Sequence, residues 1–299
     1  MISDSFTIKP FSVLHANTPS WRKRRAEWMK EGFDDTQGRE NTITSIFTLS
    51  PDSEYVSIFD PVLAECVYRW FCKEGGSVLD PFCGGATRGY VSAMLGNRYT
   101  GIDIRREQID ADIRQCSGFK DRVSYICGDS EKEVKSLGMF DFVFSCPPYY
   151  DLEVYSDKKE DLSNKPTYEE FLYKYREIIR ESCSHLNIGG FAVFVVGEIR
   201  DRNGYCRGFV KDTIQAFLDA GMRLWNEIII DQPSEDAAVR VGMFKNTRKV
   251  VKVHQNILVF AKMVNEKGKI ERMLGRFVSK TSSESEVEKL MEIYARMSK

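Results

Sequence analysis

The sequence predicts a doubly wound α/β domain on a mainly parallel sheet, and three observations predict it. Short apolar runs alternate with stretches of helical periodicity from Ser77 to Ala261. The run Ser77-Val78-Leu79-Asp80 leads into a Gly-rich turn, Pro81 to Gly89, that opens a helix, and this is half of a nucleotide-binding unit. Asp80, Asp103, Asp129 and Cys146 each fall where a predicted strand ends, which would bring them to the rim where such sheets bind ligands.

In chain order, residues 1 to 50 read as a polar N-terminal arm. Its segment Trp21-Arg22-Lys23-Arg24-Arg25-Ala26-Glu27-Trp28 admits two readings, a grip on phosphates and bases or a helix face with two packed tryptophans. Asp60-Pro61 is an N-cap with a first-turn proline, and Leu63, Cys66, Val67, Trp70 and Phe71 follow at helical spacing. After the Gly-rich turn come strand Tyr99–Ile102 ending at Asp103, a helix to about Gln115, strand Val123–Ile126 ending near Asp129, and strand Asp141–Ser145.

Thr167-Tyr168-Glu169-Glu170 has capping-box spacing and opens a long helix, which Gly189-Gly190 is expected to end. Strand Phe191–Val196, a helix over Phe209–Ala220, strand Leu224–Ile230 and strand Asn256–Ala261 complete a seven-stranded sheet. The connection Asp231–Gln255 carries Arg240, Lys245, Arg248, Lys249 and Lys252 with no acid after Asp236. It reads as the best local site for nucleic acid, with a plain solvated loop as the alternative. The body spans 51–263, and Val287, Leu290, Met291, Tyr294 and Met297 predict a helical tail within 264–299.

Composition narrows the function classes. Charges nearly cancel, 43 Lys+Arg against 44 Asp+Glu, so any nucleic-acid contact must come from local patches. Eight cysteines without a Cys-x-x-Cys pair predict reduced thiols and no metal site. Met1 to Pro10 lacks a leader pattern, and no apolar run approaches the roughly 20 residues that span a bilayer, so the expectation is a cytoplasmic protein without membrane contact.

The chemistry centres on Ser145-Cys146-Pro147-Pro148-Tyr149-Tyr150. Two prolines stop the strand and leave the carbonyls of Cys146 and Pro147 without local donors, beside the flat ring of Tyr149. Alone, such a corner would merely end a strand. With the other strand ends around it, it is a place to grip a planar ring bearing an amino group.

The pairing of Asp80-Pro81-Phe82-Cys83-Gly84-Gly85-Ala86-Thr87 with Cys146-Pro147-Pro148-Tyr149 resembles the S-adenosylmethionine-dependent amino-methyltransferases of DNA, which act on adenine N6 or cytosine N4. Phe59-Asp60-Pro61-Val62-Leu63 and Ser145 to Ser156 are similar, more narrowly, to phage and bacterial DNA modification methylases, here without a nuclease motif for restriction. The resemblance implies a Rossmann-like class I methyltransferase sheet with an antiparallel last strand. It implies that Asp80, Phe82, Gly84 and Thr87 line the methionine end of S-adenosylmethionine, that Asp103 holds the ribose hydroxyls, and that Asp129 and Ser130 lie beside the adenine. Cys146, Pro147, Pro148 and Tyr149 would be catalytic, on a DNA base flipped out of the duplex.

Two positions depart from that pattern. Ala86 replaces a glycine, which is tolerable only if the position needs no positive φ. Cys146 stands where the family has Asp, Asn or Ser. Three readings of it stay open: an acceptor like Ser, a nucleophile as in cytosine C5-methylation, although there the Cys follows the Pro, or a binding-only protein. An RNA guanine- or adenine-methyltransferase and a non-catalytic nucleic-acid-binding protein are the competing functions.

Overall fold

The computed structural model describes residues 8–32, 43–44, 59–154, 156, 158–232, 241–242 and 244–263. Its strands are β1 (Val13–His15), β2 (Ile43–Thr44), β3 (Ser77–Asp80), β4 (Arg98–Asp103), β5 (Val123–Cys127), β6 (Phe140–Ser145), β7 (Glu153–Val154), β8 (Leu186–Val196), β9 (Arg223–Asp231) and β10 (His254–Ala261). β2 and β7 pair with each other, and the other eight form one sheet in the order β1-β9-β10-β8-β6-β3-β4-β5. β10 runs antiparallel to both its neighbours, β8 and β9, while every other pairing of that sheet is parallel. This is a Rossmann-like, doubly wound α/β sheet whose last strand runs antiparallel, with all seven predicted strands present.

The helices packed around the sheet among the described residues are α1 (Pro19–Met29), α2 (Pro61–Phe71), α3 (Thr87–Met94), α4 (Arg106–Gln115), the short α5 (Ser130–Glu133), α6 (Tyr168–Ser184) and α7 (Phe209–Asp219). Alternation along the central strands explains why both faces must be covered. Phe142, Phe144, Val193, Val195, Ile257 and Val259 belong to the core beneath α1 to α4. Val143, Phe194, Val196, Leu258 and Phe260 point the other way, into the core beneath α6 and α7.

The sequence reading missed the eighth strand. β1 pairs parallel to β9, with Leu14 opposite Ile230, because a three-residue edge strand has too few residues to show a period. The neighbouring basic segment forms α1, capped by the Thr18 hydroxyl with Pro19 in its first turn. Trp21, Arg24 and Trp28 share its buried face against α2, which favours the packed-tryptophan reading over base stacking.

Hydrogen bonds fix that contact: Trp21 Nε1 donates to Asp60 Oδ2 at 2.8 Å, Trp28 Nε1 to Glu65 Oε2 at 2.8 Å, and Arg24 Nε to Glu65 Oε2 at 2.7 Å. Burial opposes ionisation of Glu65, yet Arg24, Trp28 and Arg69 together hold its carboxyl below the usual range.

Gly189-Gly190 does not end α6, which stops at Ser184. The glycines lie inside β8, where Gly189 takes φ 81° and donates to the Lys262 carbonyl at 2.7 Å. The predicted tail helix over 264–299 lies outside the described residues, as does Arg240 in the basic connection.

Candidate active site

Asp80 and Ser145 end β3 and β6, which are paired in parallel, and both side chains are fully buried. Ser145 Oγ donates to Asp80 Oδ1 at 2.5 Å, and the Phe82 N–H reaches both groups at 3.2 Å. On its other oxygen, Asp80 receives Tyr99 Oη at 2.7 Å and Arg88 Nε at 2.6 Å. Arg88, the second residue of α3, also donates to the carbonyls of Phe82 and Cys83 at 2.8 and 2.9 Å, and its guanidinium lies 4.6 Å from the Phe59 ring centre. The Gly-rich turn and the proline corner are thereby tied to one buried carboxylate.

Beside this knot is a cleft lined by Phe59, Phe82, Gly84 and Arg88, by Asp103, Asp129 and Ser130 at the strand ends, and by Cys146 to Tyr149. Gly84, on the cleft lining, takes φ 50° with open space where a side chain would be, a conformation that favours glycine. Ala86 takes φ −65°, which an alanine adopts freely. Asp103 accepts from the Arg105 N–H at 2.8 Å, and burial pushes its carboxyl above the usual range despite the Arg105 charge.

Asp129 caps α5 and accepts from Lys174 Nζ at 2.8 Å, while Ser130 Oγ donates to the Pro81 carbonyl at 2.5 Å. Asp80 and Thr87, predicted to line the cleft, instead lie buried outside its lining, Asp80 as the organiser beneath it.

At the corner, the Tyr149 hydroxyl accepts from Gln255 Nε2 at 2.8 Å and lies 4.0 Å from Cys146 Sγ, and the ring stands edge-on to Phe209 at 5.9 Å. Among the described residues no donor reaches the Pro147 carbonyl. Tyr150 takes φ 53°, an uncommon conformation for a bulky residue. It is held by Phe171, Tyr168 and the Arg207 guanidinium, 5.0 Å above its ring.

The basic connection divides. Lys245, in a single helical turn (Phe244–Thr247), and Arg248 and Lys249 are exposed. Lys252 is half-buried and donates to the Glu198 carbonyl at 3.0 Å, and burial pulls its ammonium below the usual lysine range. It belongs to the wall of the corner.

Sequence reasoning missed Arg88, Lys174 and Gln255. Lys174 carried a usable signal, because it sits on the apolar stripe of α6 with Phe171, Tyr175 and Ile178. Among the described residues no cluster of side chains could hold a metal ion, and no helix is long and apolar enough to cross a membrane.

A family described as RNA cap guanine-N2 methyltransferase matches residues 75–184, from just before β3 to the end of α6, which includes both motifs and is less than half of the chain. The sequence matches no protein of curated function at a significant level. Among solved structures, TrmN from Thermus thermophilus is 15% identical over 69% of this chain and 49% of its own, with a TM-score of 0.47. This chain thus spans about half of that protein. The cyclase SpnF is 17% identical over 69% of this chain and 82% of its own, TM-score 0.49. A methyltransferase from Pyrococcus furiosus is 16% identical over 81% of this chain and 98% of its own, TM-score 0.46. Likenesses of this size carry no argument about substrate.

Proposed function

We propose that this S-adenosylmethionine-dependent methyltransferase places its methyl group on an exocyclic amine of a nucleic-acid base. The observation that supports the reading is the sharing of one cleft by the Gly-rich turn and the Cys146-Pro147-Pro148-Tyr149 corner, both of which line it from the ends of the neighbouring strands β3 and β6. S-adenosylmethionine supplies an electrophilic methyl on a sulfonium. The residues fit it: open backbone at Gly84, an apolar wall at Phe82, the Asp103 carboxylate for a diol, and Asp129 with Ser130 at the next strand end.

The corner addresses the difficulty of the reaction. An exocyclic amine is a poor nucleophile because its lone pair is delocalised into the ring. The Pro147 carbonyl and the side chain of Cys146 accept its two N–H bonds and turn the lone pair toward the cofactor side, and Tyr149 stacks on the ring. Rate enhancement then comes mainly from positioning. A base must leave its duplex to reach so recessed a site. Cys146 serves as a weak acceptor, with the Pro147 carbonyl carrying most of the contact.

RNA is the polymer favoured by the family match, whose description names guanine N2 of the RNA cap. DNA is the second reading, favoured by the likeness of Phe59 to Leu63 and Ser145 to Ser156 to DNA modification methylases. Incubating the purified protein with methyl-labelled cofactor and either DNA or RNA tests both. Label in one polymer chooses it; label in neither, from protein that binds the cofactor, removes the catalytic reading.

A further inference from the structure

We propose that the hairpin 199–207 is a docking surface for the single strand flanking the reacting base, with Tyr205 as its stacking platform; this rests on the function proposed above. The hairpin follows β8 and closes through a bridge between Arg200 and Cys206. Its turn is tightly fixed: Gly204 N donates to the Asp201 carbonyl at 2.8 Å, Asp201 N to the Tyr205 carbonyl at 2.9 Å, and Tyr205 N to Asp201 Oδ1 at 2.8 Å. Yet Tyr205 is 73% exposed. A rigid turn that holds a flat aromatic ring in water is suited to stacking on an unpaired base.

The charges are sorted to match. The two carboxylates of the segment turn inward onto backbone N–H groups, Asp201 onto Tyr205 and Glu198 onto Ile199, Gly208 and Phe209. Arg202 is exposed, and Arg200, also exposed, rests its guanidinium on the Gly204 carbonyl at 2.8 Å. Exposed Lys249 from the basic connection joins them, its ammonium lying where a side chain on Gly204 would be, and Gly204 takes φ 86°. Cations outside and acids inside make a surface for phosphates.

The hairpin is also coupled to the corner. Arg207 N donates to the Ile199 carbonyl at 2.9 Å, and the Arg207 side chain covers Tyr150. Phe209, just beyond, packs on Tyr149, and Lys252 joins the Glu198 carbonyl. A strand lying on the hairpin would therefore be registered against the base in the cleft.

The test is fluorescence anisotropy of end-labelled single-stranded DNA and RNA oligonucleotides with wild type, Tyr205→Ala, Tyr205→Trp and Arg202→Gln, with cofactor affinity by calorimetry as the folding control. Tyr205→Ala is expected to weaken binding about 5- to 100-fold with unchanged cofactor affinity, and Tyr205→Trp to retain it. Arg202→Gln should lower the salt slope by about one counterion. Tyr205→Ala binding like wild type overturns the hairpin proposal, and methyl transfer by wild type in the labelled-cofactor assay run alongside would show that the function stands without it. Wild type that binds neither strand overturns the hairpin proposal, and transfer to neither polymer overturns the function as well.

Discussion

Ser145 Oγ donates to Asp80 Oδ1 at 2.5 Å, and this bond joins the end of β6 to the end of β3, and so the proline corner to the Gly-rich turn. Both side chains are excluded from water, so the bond has no solvent substitute. Ser145→Ala is expected to lower the unfolding free energy by about 1.5–3 kcal/mol, the usual worth of a hydrogen bond to a charged group. A urea titration measures it, and a variant as stable as wild type would show that the two ends are held by other contacts.

Arg88→Met removes the cation beside Asp80 while keeping much of the side-chain volume. The stranded carboxylate is expected to cost about 3–5 kcal/mol. Because Arg88 also holds the Phe82 and Cys83 carbonyls, cofactor affinity should fall with stability. Calorimetry of the variant at a temperature where it stays folded separates the two effects; full cofactor affinity there would confine Arg88 to a structural role.

Asp141 gives the sheet a pH-dependent tie at the opposite end of its strands. Burial alone would raise its carboxyl, but the Lys73 ammonium at 2.6 Å, the Ser77 N–H and hydroxyl, and the Asn187 amide bring it down to about 2 from the usual 3.8. A pKa lowered in the folded state contributes stability above the unfolded value and loses it as pH falls through the folded one. The contribution, about 2 kcal/mol, should therefore be complete above roughly pH 5 and fade between pH 4 and 2. Asp141→Asn should lie below wild type at neutral pH and converge with it in acid. Parallel stability curves down to pH 2 would contradict the assignment.

Cys146→Ser should keep methyl transfer within about tenfold of wild type, because an acceptor replaces an acceptor. An inactive Ser variant that still binds cofactor would return Cys146 to the role of nucleophile. Gln255→Leu removes the donor to the Tyr149 hydroxyl and should raise KM for nucleic acid more than it lowers kcat. A fall confined to kcat would place Gln255 in the chemical step instead.

Much of this arrangement was legible in the sequence because strand ends are. Asp80, Asp103, Asp129 and Cys146 each close an apolar run, and a parallel sheet brings such ends to one rim by geometry alone. What the rim residues do there was less legible. Asp80 and Thr87 were expected in the cleft and lie beneath it, since a motif fixes sequence spacing but burial depends on the partner, here Arg88, and on Ser145 from another motif. β1 escaped notice because three strand residues give no apolar period, and the packed-tryptophan reading of α1 stood level with base stacking because so basic a helix shows no apolar stripe to decide between them. The 199–207 hairpin was missed for a related reason: its order comes from turn hydrogen bonds made by Asp201 and Gly204, which leave no mark on hydrophobic patterning.

The central claim is the transfer of a methyl group to an amine held at the Pro147-Pro148-Tyr149 corner. Its most direct measurement is mass spectrometry of nucleosides from the DNA and RNA of cells producing wild type or Tyr149→Ala. The expected result is a base methylated on its exocyclic nitrogen in one polymer with wild type, strongly reduced with Tyr149→Ala. A ring-carbon methylation such as 5-methylcytosine, or equal modification by both proteins, would contradict it.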